Sequence, residues 1–145
     1  MARRFVLASS LLVLLAAPAR AGGMGPFTNT WDSDQPSTFT HVIEGTPGKV
    51  TLSLDAKTTT GGTETVAVYF VDSKGHKKTG WRLFVIANKQ GSGATKSFTL
   101  PKPKPITRPD GTKETPKTSA AKVMVVVENA SGRTSSGEYT LTGSR

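Results

Sequence analysis

Residues 48–56 read GKVTLSLDA: Val50, Leu52, Leu54 and Ala56 fall on one side of an extended chain, and Thr51, Ser53 and Asp55 on the other. Successive side chains of a strand point to opposite faces, so this stretch reads as a half-buried strand with one apolar and one hydroxylated wall. Burying a side chain of Val or Leu size stabilises by about 1.5–3 kcal/mol. Several strands that repeat the pattern together can offset the entropy of ordering the chain.

Comparable runs lie on either side. Residues 37–44 (STFTHVIE) come first and end at Gly45-Thr46-Pro47-Gly48. Residues 64–72 (ETVAVYFVD) are apolar on both faces, which predicts a strand in the middle of a sheet or beneath another layer. Residues 81–87 (WRLFVIA), 94–100 (ATKSFTL), 121–128 (AKVMVVVE) and 138–142 (EYTLT) complete the series. Asp72-Ser73-Lys74-Gly75 has turn chemistry, and 57–63, made only of Lys, Thr and Gly, reads as a loop. Residues 22–36 (GGMGPFTNTWDSDQP) show no period and read as an irregular N-terminal segment. Seven short β-branched and aromatic runs without a helical period after residue 21 predict an all-β sandwich or barrel. A membrane barrel would need an apolar outward band about 9 to 11 residues long on every strand, whereas the second faces here carry Thr, Ser, Lys and Asp.

The first 21 residues, MARRFVLASSLLVLLAAPARA, join Arg3 and Arg4 to an uncharged apolar stretch over 5–17 and an Ala19-x-Ala21 site. This is the layout of a secretory signal peptide cleaved after Ala21, and its apolar run is too short for a membrane span. The expected mature chain has 124 residues, enough for one domain, with 16 Lys and Arg against 10 Asp and Glu, a formal charge of +6. No later segment is apolar enough to span a bilayer, so the expected location is secreted or periplasmic. The chain has no cysteine, which excludes disulfides, thiolate metal sites and a cysteine nucleophile.

FTHVIEGTPGKVTLSLDA (39–56), ETVAVYFVDSKG (64–75) and SGEYTLTG (136–143) together resemble bacterial pre-peptidase C-terminal (PPC) domains. The resemblance spans most of 37–143 and implies a jelly-roll-like antiparallel β-sandwich of about seven strands, found in secreted proteins as a non-catalytic appendage to a peptidase. Three features depart from that pattern. Thr63, Glu64 and Thr65 offer one carboxylate where such domains often carry several, 100–121 is a long insertion, and these 145 residues are not expected to hold a catalytic domain beside the sandwich.

Within the insertion, 101–120 (PKPKPITRPDGTKETPKTSA) is the strongest compositional anomaly. Five prolines disfavour a regular strand or helix there, and Lys102, Lys104, Arg108, Lys113 and Lys117 outweigh Asp110 and Glu114 to leave +3. The segment reads either as a basic arm for a cell-envelope polyanion or as a solvated loop whose charge and prolines blunt a sheet edge. Nucleic acid is a poor match, because stacking aromatics are not interleaved with the cations. Trp31 and Trp81 are candidates for a carbohydrate-stacking platform, although Trp81 heads an apolar strand and is equally suited to closing the core. His41 shares strand parity with Phe39 and Ile43 and is expected at the core or its rim, while His76 is expected in solvent. Asp32 and Asp34, with Asp72, are too few for a calcium loop of six or more oxygens.

These readings assign no catalytic residue, no metal ligand and no cofactor. They converge on an exported, non-enzymatic binding or structural module of the cell envelope or secreted fraction, its oligomeric state open. An accessory or inhibitor of a secreted peptidase or hydrolase, and a carbohydrate-binding module, are the alternatives.

Overall fold

The computed structural model describes residues 23–32, 37–60, 62–128 and 135–145. The expected signal peptide over 1–21 lies outside them. Ten strands appear in chain order: β1 (Phe27–Trp31), β2 (Thr38–Gly45), β3 (Gly48–Thr60), β4 (Glu64–Val71), β5 (Lys77–Ala87), β6 (Ser92–Leu100), β7 (Ile106–Thr107), β8 (Lys113–Glu114), β9 (Ser119–Glu128) and β10 (Ser136–Ser144). Eight of them form two four-stranded sheets, β1-β10-β3-β6 and β2-β9-β4-β5, with every ladder antiparallel. β7 and β8 form a separate two-stranded sheet.

The pairing has a simple logic. β4 pairs β5, β3 pairs β6, β2 pairs β9 and β1 pairs β10, as the successive rungs of one long hairpin. Rolling that hairpin brings β10 against β3 and β9 against β4, which divides it into two stacked sheets. This is the double-sheet jelly roll. The apolar rows fill the space between the layers: Leu52 and Leu54 of β3 cluster with Val66 and Val68 of β4 and Val123 and Val125 of β9, all fully buried, as is Val50.

Three sequence expectations are corrected. Residues 22–36 are not irregular throughout, because 27–31 is an edge strand registered along β10 from Phe27↔Leu141 to Trp31↔Gly137. The eight-stranded sandwich therefore begins before residue 37. Residues 57–60 are not loop: β3 runs on to Thr60 because β10 continues opposite it, pairing Glu138 with Lys57 and Gly137 with Thr58. Residues 101–120 do contain regular strand, since the turn at 108–112 holds Ile106 and Thr107 against Glu114 and Lys113 while the prolines lie outside the ladder.

Glycine choice in β10 follows from packing. A side chain at Gly137 would meet the Trp31 ring and the Lys57 carbonyl, so the SGEYTLTG run needs a glycine where the indole crosses the strand. Two residues on, Tyr139 is 1% exposed and carries a polar link between the layers. Its hydroxyl lies 2.6 Å from His41 Nε2 on β2 and accepts from Asn29 Nδ2 at 3.0 Å on β1. His41 also stacks on Phe27 at 4.8 Å between ring centroids. Burial pushes the Tyr139 hydroxyl up to about 12 and lowers the His41 imidazole from its usual value.

Two outcomes follow. In chemical denaturation Leu54→Ala is expected to cost about 2–5 kcal/mol, and Gly137→Ala at least the roughly 1–3 kcal/mol of an overpacked core; a cost near zero for either would contradict the packing. Burial disfavours the charged form of His41 and lowers its pKa in the fold, so its contribution is complete above the unfolded value of about 6.5 and is lost progressively as pH falls below it. Unfolding free energy should decline from neutral pH toward pH 5, and His41→Gln should flatten that slope; an unchanged slope would remove His41 as its source.

Candidate functional site

One end of the sandwich gathers the residues with binding chemistry. β5 carries three extra residues against β4: Tyr69 pairs Arg82 while Phe70 pairs Lys78, leaving Thr79, Gly80 and Trp81 outside the ladder. A bulge of this kind re-aims a side chain. Trp81 is turned between the layers' edges, against Phe70 at 4.8 Å and Phe98 of β6 at 6.2 Å between centroids. Its indole N–H donates to the Ser97 carbonyl at 3.1 Å, and Lys96 Nζ donates to the Arg82 carbonyl at 3.0 Å, two cross-layer bonds between β5 and β6. The Lys96 ammonium stands 5.2 Å from the Trp81 ring centroid. Trp81 thus closes the end of the core, yet it remains only half-buried.

A groove of about 480 Å³ opens beside it, lined by Phe70, Lys78, Trp81, Pro101, Ala121 and Lys122 among others. The basic segment leaves the sandwich at buried Leu100 and returns at buried Ser119, so both of its roots stand at this rim. Between them β7 and β8 make a small hairpin. Its turn is held by Arg108 N donating to Thr112 O at 2.8 Å and Gly111 N to Arg108 O at 2.9 Å, with Gly111 in the left-handed region at φ 85°. Asp110 accepts from the Thr112 amide at 2.9 Å and hydroxyl at 2.6 Å, which holds its carboxyl below the usual range. All five predicted cations are exposed. Arg108 is ion-paired to Glu114, whereas Lys102, Lys104, Lys113 and Lys117 make no ion pair among the described residues.

The two candidate tryptophans do not come together. Trp31 is 3% exposed, crossed by β10 at Gly137, with its N–H donated to Ser135 Oγ at 3.2 Å. A ring so enclosed belongs to the core, which corrects its assignment as a stacking platform. His76 is exposed as expected, 3.6 Å from Asp72, whose carboxylate also accepts the Lys74 and His76 amides at 2.9 and 2.8 Å. Those backbone donors, His76 first, lower the Asp72 carboxyl from its ordinary value. Asp34 lies outside the described residues. Glu64 is 2% exposed and its Oε2, like Thr58 Oγ1 and Asn88 Oδ1, has no hydrogen-bond partner among the described residues. Among the described residues no three His, Asp or Glu side chains gather in one place.

The outer faces of the two sheets differ. That of β1-β10-β3-β6 is a field of hydroxyls in which Thr28 faces Thr140, Thr142 faces Ser53 and Thr51 bonds Ser97 at 2.9 Å between oxygens. Two shallow depressions of about 410 Å³ each flank Glu138 and Thr140 there, beside the 2.9 Å Lys57–Glu138 pair. The other face carries Tyr69, which donates to Glu128 at 2.5 Å, and Arg82, which donates to the same carboxylate at 2.8 Å. Arg82 also lies 4.3 Å from the Phe84 ring centroid. Next to this network Phe84 and Ile86 are 47% and 57% exposed. Parity along WRLFVIA marks Arg82, Phe84 and Ile86 as one row, and the alternation alone does not reveal that the row meets solvent.

No family model matches the chain, and no curated protein matches it. Among solved structures it is similar to one of a CBM4, at 12% identity over 81% of this chain and 71% of that one, with a TM-score of 0.49. The cryo-EM structure of broad bean stain virus gives 11% identity over 68% and 57% of the two chains and a TM-score of 0.38. Infectious bursal virus derived T=1 particles give 14% over 83% and 28%, with a TM-score of 0.36. None reaches a level at which residues of one chain transfer to the other.

Proposed function

We propose that the protein is an exported, non-catalytic β-sandwich module of the bacterial cell envelope or secreted fraction, and that it binds polyanions through the basic arm. The observation behind this reading is the arm's construction. It is fixed at Leu100 and Ser119, stiffened by its own hairpin, adds no strand to either four-stranded sheet, and spends only one of five cations on an internal ion pair. A loop that served only to blunt a sheet edge would use lysines and prolines but would not need a hairpin of its own. Near an anionic surface each lysine contributes about 1 kcal/mol, so four together correspond to roughly a thousandfold in retention at low salt. Screening by salt weakens the effect.

The test uses the form beginning at Gly22. Retention on phosphatidylglycerol vesicles and on acidic polysaccharide is expected to be salt-sensitive, and to fall on the order of a thousandfold when Lys102, Lys104, Arg108, Lys113 and Lys117 become Gln. Retention that survives those changes defeats the arm reading.

A second reading is an accessory or inhibitor that docks a secreted peptidase or hydrolase, and the exposed Phe84 and Ile86 favour it. It predicts that a peptidase or hydrolase identified by mass spectrometry co-purifies from the secreted fraction, and that Phe84→Ser with Ile86→Ser abolishes the capture. Equal capture by both forms, or none by the unaltered one, counts against it.

A further inference from the structure

We infer that the groove at the root of the arm is a binding site for an acidic polysaccharide. Trp81 supplies the surface on which a sugar ring stacks, and Lys78 and Lys122 hold the carboxylates of the chain. This rests on the polyanion reading of the arm and narrows it to a ligand class and a place.

Four observations converge on the groove. The three-residue bulge takes Trp81 out of the ladder, and its N–H is already fixed on the Ser97 carbonyl, so the ring's orientation is set before any ligand arrives. The negative face of an indole attracts the C–H-bearing face of a sugar ring. Trp81 is also the one tryptophan not enclosed by the core.

Charge supplies the second and third points. Lys78 and Lys122 both line the groove and are exposed, and neither makes an ion pair among the described residues. Asp72 feels the charge of Lys78, but its carboxylate is taken up by the amides of Lys74 and His76. Lys96 Nζ, held on the Arg82 carbonyl, stands over one face of the ring at 5.2 Å from its centroid, so the opposite face is the one a sugar would stack on. Geometry supplies the last point. Pro101 and Ala120 form part of the lining, so Lys102 follows directly from the rim and a polymer seated in the groove would run out beneath the arm.

The combination selects among polyanions. A bilayer surface asks for cations on a common plane and gains little from a ring set in a concavity. A polyphosphate chain has charge but no ring to stack. A chain of carboxylated sugars uses both, and the volume of about 480 Å³ falls within the roughly 300–1,000 Å³ typical of small-ligand sites.

The experiment is a titration of the ¹⁵N-labelled form beginning at Gly22, read at the Trp81 indole N–H and referenced to the buried Trp31 indole. Trp81→Phe assigns the signal. Probes are polygalacturonate oligosaccharides, uncharged dextran, inorganic polyphosphate and phosphatidylglycerol vesicles. Polygalacturonate is expected to shift the Trp81 signal saturably, dextran not to, and polyphosphate to bind without moving it. Lys78→Gln with Lys122→Gln, two exposed changes that leave the core intact, should weaken polygalacturonate at least about tenfold, the loss of two contacts of about 1 kcal/mol each. If polygalacturonate and polyphosphate both bind with the Trp81 signal unmoved, or if the double variant binds as tightly, the groove is not the site while the arm reading stands. An equal shift with vesicles or polyphosphate overturns the sugar specificity. If none of the anionic probes binds, the arm reading fails and the groove falls with it.

Discussion

The architecture depends on one strand having the right neighbours on both sides. β3 is paired along one edge to β10 and along the other to β6, and its inward row of Val50, Leu52, Leu54 and Ala56 forms the floor of the core. A slip of one residue in either ladder would turn that row into solvent and Thr51, Ser53 and Asp55 into the interior. The strict alternation therefore fixes register as well as fold. With β3 in place, β10 brings Tyr139 and Leu141 beneath the opposite layer, and the His41–Tyr139–Asn29 bonds tie β1 and β2 together through the interior, beside the Glu44 amide that donates to the Gly23 carbonyl.

The end of the sandwich that bears the arm illustrates how a rigid frame makes room for recognition. The inward ladder positions of β5, Leu83, Val85 and Ala87, are committed to packing, whereas the three residues released by the bulge stand outside the ladder. Trp81 divides its duties: it packs on Phe70 and Phe98 and donates its N–H to Ser97, and it also lines the groove. The arm follows the same division. Leu100 and Ser119 belong to the frame, while everything between them stands outside it. Loops carried on such a scaffold are where binding residues are expected to collect.

Much of the fold was legible from residue parity. Val66, Val68 and Phe70 against Ala67, Tyr69 and Val71 marked β4 as an interior strand, and it does lie between β9 and β5. Its second face is covered differently from expectation: Lys77 and Arg82 fold over the Tyr69 ring in place of another layer. What escaped notice shares a cause. Phe27, Asn29 and Trp31 alternate correctly, but over five residues set among Gly, Pro and Asp, and only the distant β10 makes them a strand. Thr58 and Thr60 have no apolar partner of their own kind and are held by the same strand. Trp31 could not be told from Trp81 because burial of an indole at the edge of a sheet is decided by a glycine more than a hundred positions away. The groove is a non-local object, assembled from β4, β5, β9 and the arm's first proline, and no single window of sequence contains it.

The nested pairing has a consequence for how the chain becomes a protein. β1 waits for β10, β2 for β9, and β3 for β6 and β10, so of the strands up to residue 87 only β4 and β5 can find each other locally. Such long-range closure is slow. A ribosome must finish nearly the whole polypeptide before either four-stranded sheet can close, because β9 and β10, the last strands made, each complete one of them.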